Sequence, residues 1–342
     1  MLTRDMTQTT LTKSLRARVL ADFHAMYPSV QLEGANGTRF STYIDAHSYV
    51  GSLDIQNPPI QENVLYTWIH SGNILTGFTG VLPASVSVPS VLDGVLLTSI
   101  SASAFSGTSI VSLSLPDSIT TLDISAFASC SGLVSIGLTV GYIPYNTFDG
   151  CISLTSLYLP SVISIGGIAF QGCMSLASVY LPSVTDIGDS AFFGCRSLTS
   201  IDLPSLTALN FNLFDGCIAL SSITVPSVVS IGDYIFNNCS ALTTILIPAA
   251  TIGSYVFASC TSLVSVQLTG VTSMGNNVFE GCTALTTLTI NIVTPPLFAS
   301  DSLAEVPASA TINIPNVPSE LAAWNAAVHA AGWMGSSVTL LH

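Results

Sequence analysis

Residues 191–210 read AFFGCRSLTSIDLPSLTALN. Phe192 is followed by Cys195, Leu198, Ile201, Leu203, Leu206 and Leu209, at steps of three, three, three, two, three and three. A helix spaces its apolar stripe at three and four residues, and a strand alternates every two. Only the step from Ile201 to Leu203 has strand spacing, and no helical run of useful length surrounds it. The next phenylalanine, Phe214, stands five residues after Leu209 and closes a unit of 22.

The same unit recurs on both sides. Phenylalanine returns at 105, 127, 148, 170, 192, 214, 236, 257 and 279, every 21 or 22 residues. From the second copy on, a cysteine follows three residues later, at Cys130, Cys151, Cys173, Cys195, Cys217, Cys239, Cys260 and Cys282, and a leucine three after that. A short unit with one strand step cannot bury its apolar side chains alone, so neighbouring copies must stack. The expected fold is a β-rich solenoid of 21–22-residue repeats with parallel strands, flanked by a small N-terminal α+β module and a C-terminal helical cap.

The punctuation of the unit supports a coil. Proline follows the strand at Pro116, Pro160, Pro182, Pro204, Pro226 and Pro248, where its missing N–H does least harm to a ladder. Glycine recurs at Gly166, Gly188, Gly232, Gly253 and Gly275, with Asn210 in the same column. That pair of residue types predicts a backbone of positive φ there.

AFFGCRSLTSIDLPS, together with SIGDSAF, resembles the BspA-type leucine-rich repeats, and the similarity runs over roughly residues 65–342. SGNILTGFTGVLPASVSVPSVLDGVLLTSISASAF (residues 71–105) looks like that family's first coils, and ATINIPNVPSELAAWNAAVHAAGW (residues 310–333) is similar to its C-terminal cap. Members are mostly non-enzymatic surface proteins, adhesins and ligand binders of bacteria, protists and some viruses, usually with a secretion signal. The resemblance therefore implies a recognition or adhesion protein.

Three segments follow from the repeat: an N-terminal module over 1–63, the solenoid over 64–318 and a cap over 319–342. Leu11, Leu15, Val19, Phe23 and Met26 have helical spacing, with Thr9 or Thr10 as N-cap. VQLEGANGTRFSTYI reads as a hairpin around Asn36-Gly37, and QNPPIQ (residues 56–61) as a stiff link. The module either caps the first coil or anchors the rod to an assembly partner. Ser319 is the expected N-cap of a helix ending near Ala331, with Leu321, Trp324 and Val328 on one face and Gly332 as its stop.

Composition excludes several function classes. The chain has 342 residues with six Lys and Arg against 19 Asp and Glu, and after Arg39 its single Lys or Arg is Arg196. Affinity for a phosphate backbone or an anionic membrane comes from basic residues, so no nucleic-acid partner is expected. Apolar stretches are broken by Ser, Thr, Gly or Pro, leaving no run of about 18 to 20 residues to span a bilayer. The first residues lack the apolar core and cleavage site of a signal peptide.

Catalytic and metal patterns are missing too. There is no G-x-S-x-G, no H-E-x-x-H, no phosphate-binding glycine loop and no C-x₂₋₄-C pair. No enzyme activity, cofactor or metal is expected, and the eight cysteines read as free buried thiols filling space. Asp186, Asp189, Asp202, Asp215 and Asp233 fall in different columns and read as a solvated face rather than a calcium site.

Recognition, if the strand face performs it, falls on the outward residues. One outward column is Ser135, Ser156, Ser178, Ser200, Ser222, Thr244, Ser265 and Thr287, as uniform as a hydroxyl ladder would be. Its neighbour is Gly137, Tyr158, Tyr180, Asp202, Thr224, Leu246, Gln267 and Thr289. Candidate ligand-binding residues are therefore Tyr158, Tyr180, Asp202, Ser156, Ser178 and Ser200, although β-propensity alone also places tyrosines on strands. The expected partner is a protein or carbohydrate on a target surface. Expected settings are a virion or particle surface, as in a phage tail fibre, or an extracellular cell surface; a structural component of an assembly, homo-oligomeric or mixed, is the alternative.

Overall fold

A computed structural model describes residues 66–341 and, before them, the strands Leu32–Glu33 and Arg39–Phe40. Contacts divide the chain into two units, Met1–Leu65 and Tyr66–His342. In the first, Leu32 pairs with Phe40 and Glu33 with Arg39 in antiparallel register, while the turn expected at Asn36-Gly37 lies outside the described residues. The helix expected over residues 11–26 and the link over 56–61 lie outside the described residues.

The second unit is a solenoid of about twelve turns whose coil-to-coil strands run parallel. It does not open with a coil. Tyr66–Ser71 folds back antiparallel on Ile74–Gly80, and Ile74 and Leu75 then pair in parallel with Ser99 and Ile100. The reversal falls at Gly72, whose φ is 58°, a conformation glycine adopts without strain. The hairpin brings Trp68 edge-on to Phe105 at 5.9 Å, which closes the apolar column at that end.

Each regular coil contributes a lateral strand such as Ser156–Tyr158 and a second, two-residue strand such as Ser164–Ile165. Between them and the turns lies a single core. Its spine is the nine phenylalanines, all fully buried, with successive ring centroids 5.2–5.9 Å apart and planes within 4–19° of parallel. The coil repeat dictates this spacing, because equivalent side chains must follow the spacing of the strands that carry them.

The cysteines are free and buried, but they do more than fill space. Each thiol donates a hydrogen bond to the phenylalanine carbonyl of the preceding coil, from Cys130 to Phe105 at 3.0 Å through Cys195 to Phe170 at 3.2 Å to Cys282 to Phe257 at 3.0 Å. Burial pushes the Cys173 and Cys282 thiols up to about 12, which keeps them protonated as donors. A small side chain with a weak S–H donor suits a tight position facing a carbonyl.

Within the regular coils positive φ occurs in two columns, neither of them the expected one. Residues two before the phenylalanine, including Ser125, Asn146, Ile168, Ser190, Asn212 and Tyr234, have φ of 47–61°. Residues two after it, including Gly150, Gly172, Gly194, Gly216 and Asn238, have φ of 60–76°. The column of Gly166, Gly188, Gly232, Gly253 and Gly275 has no left-handed backbone, which corrects the sequence reading. Its glycines are required by close approach instead: a Cβ on Gly188 would lie 2.4 Å from the Gly167 nitrogen, and one on Gly166 2.5 Å from the Tyr145 nitrogen.

That column also explains where the second sheet breaks. Its ladder is continuous from Tyr142–Ile143 to Asp186–Ile187 and again from Ala208–Leu209 to Leu297–Phe298. Within the runs, each column glycine donates its N–H to the coil before, as from Gly188 to Ile165 at 2.8 Å. At the first break the column holds Pro144, which has no N–H to give. At the second it holds Asn210, whose side-chain amide bonds the Ile187 carbonyl at 2.6 Å in place of the backbone.

The far end is closed by a 3₁₀ turn, Pro318–Glu320, leading into the helix Leu321–Ala330. Ser319 is therefore inside the turn and Glu320 is the N-cap, with no side-chain capping bond; Pro318 favours the tight turn that displaces the expected start. Trp324 and Val328 are buried and Leu321 is partly buried against the core. The helix stops at Gly332, φ 94°, where Gly332 and Trp333 donate to the His329 and Val328 carbonyls.

Candidate ligand-binding face

The lateral strands carry the outward residues singled out from the sequence. Ser156–Tyr158 pairs in parallel with Ser178–Tyr180, placing Ser156 beside Ser178 and Tyr158 beside Tyr180. Leu157 and Val179 between them point into the core, which turns their neighbours outward. The Tyr158 and Tyr180 rings stack at 5.0 Å and 4°, yet remain 67% and 50% exposed. Asp202 is exposed on the next lateral strand, Ser200–Asp202, which pairs onward with Ser222–Thr224.

The serines behave differently from the expectation. Ser156, Ser178 and Ser200 are exposed, and among the described residues no hydrogen bond links them into a ladder. Hydroxyls one residue earlier make the coil-to-coil bonds instead. Thr155 donates to the Val134 carbonyl at 3.3 Å, Thr199 to Ala177 at 3.4 Å and Ser221 to Thr199 at 3.2 Å. An outward Cβ points its hydroxyl away from neighbouring backbone, whereas the residue at the strand's entry reaches the carbonyl of the coil before it.

Next to Tyr158 the lateral surface opens into a recess of about 410 Å³, reaching from Leu115, Pro116 and Asp117 across Gly137 and Leu138 to the Tyr158 ring. Uneven coils produce it. Apolar positions that lie three apart after the strand in most coils, as Leu159 and Val162 do, lie four apart at Leu115 and Ile119 and two apart at Leu138 and Val140. The sequence reading missed the recess, although the uneven spacing and Gly137 in the tyrosine column were its visible signals.

A second aromatic group also escaped that reading. Tyr234 and Tyr255 stack at 4.8 Å and 2° in the left-handed turn before the phenylalanine, and Phe211 lies edge-on to Tyr234 at 5.9 Å. Tyrosine at the same place in two successive coils was its signal. These rings are on a turn rather than a strand, and Tyr234 and Tyr255 are only partly exposed.

Among the described residues no group of three or more His, Cys, Asp or Glu could hold a metal ion, and no helix is long and apolar enough to cross a membrane.

Stacked short parallel strands, a phenylalanine spine and an exposed strand face define the molecule as a leucine-rich-repeat solenoid. The chain belongs to the BspA type leucine rich repeat family, whose pattern matches in overlapping segments over residues 98–214, 141–251 and 185–304. The match indicates no catalytic family, and leucine-rich-repeat proteins of this type are binding scaffolds. No curated protein matches the chain. Among solved structures, a leucine-rich-repeat protein of T. pallidum is similar, at 32% identity and TM-score 0.49, over 54% of this chain and 90% of that one. A Bacteroides ovatus leucine-rich-repeat protein shares 21% identity at TM-score 0.43, covering 81% and 98% of the two chains. A leucine-rich cell surface protein of Faecalibacterium prausnitzii shares 21% at TM-score 0.45, covering 84% and 96%.

Proposed function

We propose that the protein is a non-enzymatic adhesin that binds a protein or glycan on a target surface through its lateral strand face, centred on Tyr158, Tyr180 and Asp202 and flanked by Ser156, Ser178 and Ser200. The observation that carries this reading is the exposed Tyr158–Tyr180 stack. Large aromatic rings bring contact area at low conformational cost, and here the scaffold already holds them in one geometry. Residues 1–63 serve in this reading as the end that docks on an assembly partner. Of the two carriers, family membership favours a cell surface, and no feature of the structure favours a virion fibre.

The test is binding of fluorescent full-length protein to panels of bacterial and epithelial cells and immobilised glycans. Replacing Tyr158, Tyr180 and Asp202 together by alanine is expected to abolish binding, while Phe211→Ala on the turn leaves it intact. Unchanged binding by the triple variant, with its fold preserved by circular dichroism, would remove the lateral face from consideration.

A further inference from the structure

The recess beside Tyr158 has the features of a small-molecule subsite, and the inference drawn from it rests on the lateral face being the recognition surface. In the outward column Gly137, Tyr158 and Tyr180 occupy successive coils, and Tyr180 covers one face of the Tyr158 ring. The other face looks toward Gly137, where no side chain stands. A Cβ built on Gly137 meets nothing within 4 Å, and its backbone is not left-handed. One rung of a ring-bearing ladder is thus empty, next to a ring that is 67% exposed.

The strand ladder opens at the same place. Ser135–Ile136 pairs with Ser112 and Leu113 on one side, and its sheet ends there, so Gly137 lies beyond the last paired residue. Half-buried Leu115 and Leu138 line the recess, and exposed Asp117 and Ser114 stand at its rim. Its volume of about 410 Å³ falls in the ordinary range for small-ligand pockets, about 300–1,000 Å³.

We infer that this recess binds one neutral pyranose ring of a glycan, which fills the vacant rung and stacks on Tyr158. An aromatic face attracts the weakly positive C–H groups of such a ring, and the Asp117 carboxylate accepts hydrogen bonds from its hydroxyls with the added strength of a charged acceptor. An acidic sugar does not fit: Asp117 repels it, and the described solenoid has no Lys or Arg except Arg196 to neutralise it. An ammonium group would also be drawn to Tyr158 and Asp117, but it would leave the apolar lining of Leu115 and Leu138 uncovered.

Saturation-transfer NMR on the full-length protein tests this with methyl glucoside, galactoside, mannoside and N-acetylglucosaminide, glucuronic acid as the acidic probe and acetyl-lysine methyl ester as the cationic one. At least one neutral glycoside is expected to bind through its C–H face. Gly137→Phe, which fills the slot from a site with room for a side chain, is expected to weaken it at least tenfold, as is Tyr158→Ala. Asp117→Asn is expected to weaken it several-fold. No binding by any neutral glycoside, binding that survives Gly137→Phe, equal binding of glucuronic acid, or binding of the lysine ester alone would each overturn the inference. Target-surface binding that disappears in the Tyr158, Tyr180 and Asp202 variant but persists in Gly137→Phe would overturn the sugar slot and leave the lateral face standing. Loss of glycoside binding in Gly137→Phe with surface binding unaffected by the triple variant would do the reverse.

Discussion

The phenylalanine spine and the Tyr158–Tyr180 pair have nearly the same ring geometry in opposite surroundings. Nine buried rings stack at 5.2–5.9 Å, and two exposed ones at 5.0 Å. Both distances follow from the spacing of coils, so stacking by itself says nothing about purpose. Exposure separates the two groups. Burial makes the spine a source of stability, whereas tyrosines left in water contribute little to folding and remain free for contact.

Truncating one ring from each stack should break the similarity most visibly. Phe192→Ala leaves a cavity in mid-column and is expected to cost about 3–5 kcal/mol, whereas Tyr158→Ala should cost less than about 1 kcal/mol. Urea unfolding followed by circular dichroism measures both, and equal losses would show that the tyrosines belong to the folding core.

Coil spacing, which both stacks inherit, is open to a second perturbation. Gly188→Ala drives a methyl group against the Gly167 backbone and is expected to destabilise by about 2 kcal/mol or more. Gly172→Asn, in the truly left-handed column where Asn238 already stands with φ 60°, should cost less than about 1 kcal/mol. Thermal denaturation of the two variants compares them, and the reverse order would restore the positive-φ reading of the Gly188 column.

The smallest effect concerns the ends of the solenoid rather than either stack. His70 faces the Gly72 carbonyl and the Asp93 carboxylate, and His329 faces the Asn325 and Gly335 carbonyls. Two acceptors favour the doubly protonated ring, so both pKa values are raised, led by the backbone bonds to Gly72 and to Asn325. A raised folded-state value stabilises fully below about 6.5 and is lost as the pH climbs through it. Tm should therefore fall slightly from pH 6 to pH 8, and substituting both histidines by glutamine should remove that fall without changing the near-ultraviolet signal of the tyrosines. An undiminished fall in the double variant would assign it to other groups.

Much of this was legible in one dimension. The Phe192 to Leu209 spacing carried the coil, and the alternation around Leu157 and Val179 carried the outward direction of Tyr158 and Tyr180. The helix around Trp324 and Val328 was also readable, within a few residues of its true start. The opening hairpin at Tyr66–Gly80 was not, because an antiparallel reversal at Gly72 looks like any other turn in a glycine-rich repeat. Nor was the role of Cys195, since a spacing pattern shows where a thiol sits but not which carbonyl of the coil before lies 3.2 Å away.

The repeat, its period and the sides on which residues fall could be read from the residues alone, because these depend only on local periodicity repeated nine times. What lies between coils depends on how the coils pack. Gly188 is glycine because Gly167 comes within van der Waals reach, the second sheet ends where Pro144 and Asn210 withhold a backbone N–H, and the recess opens where unequal loops meet across Gly137. Each is a contact between residues about 22 apart in sequence, and the pattern that brings them together does not specify how closely they approach.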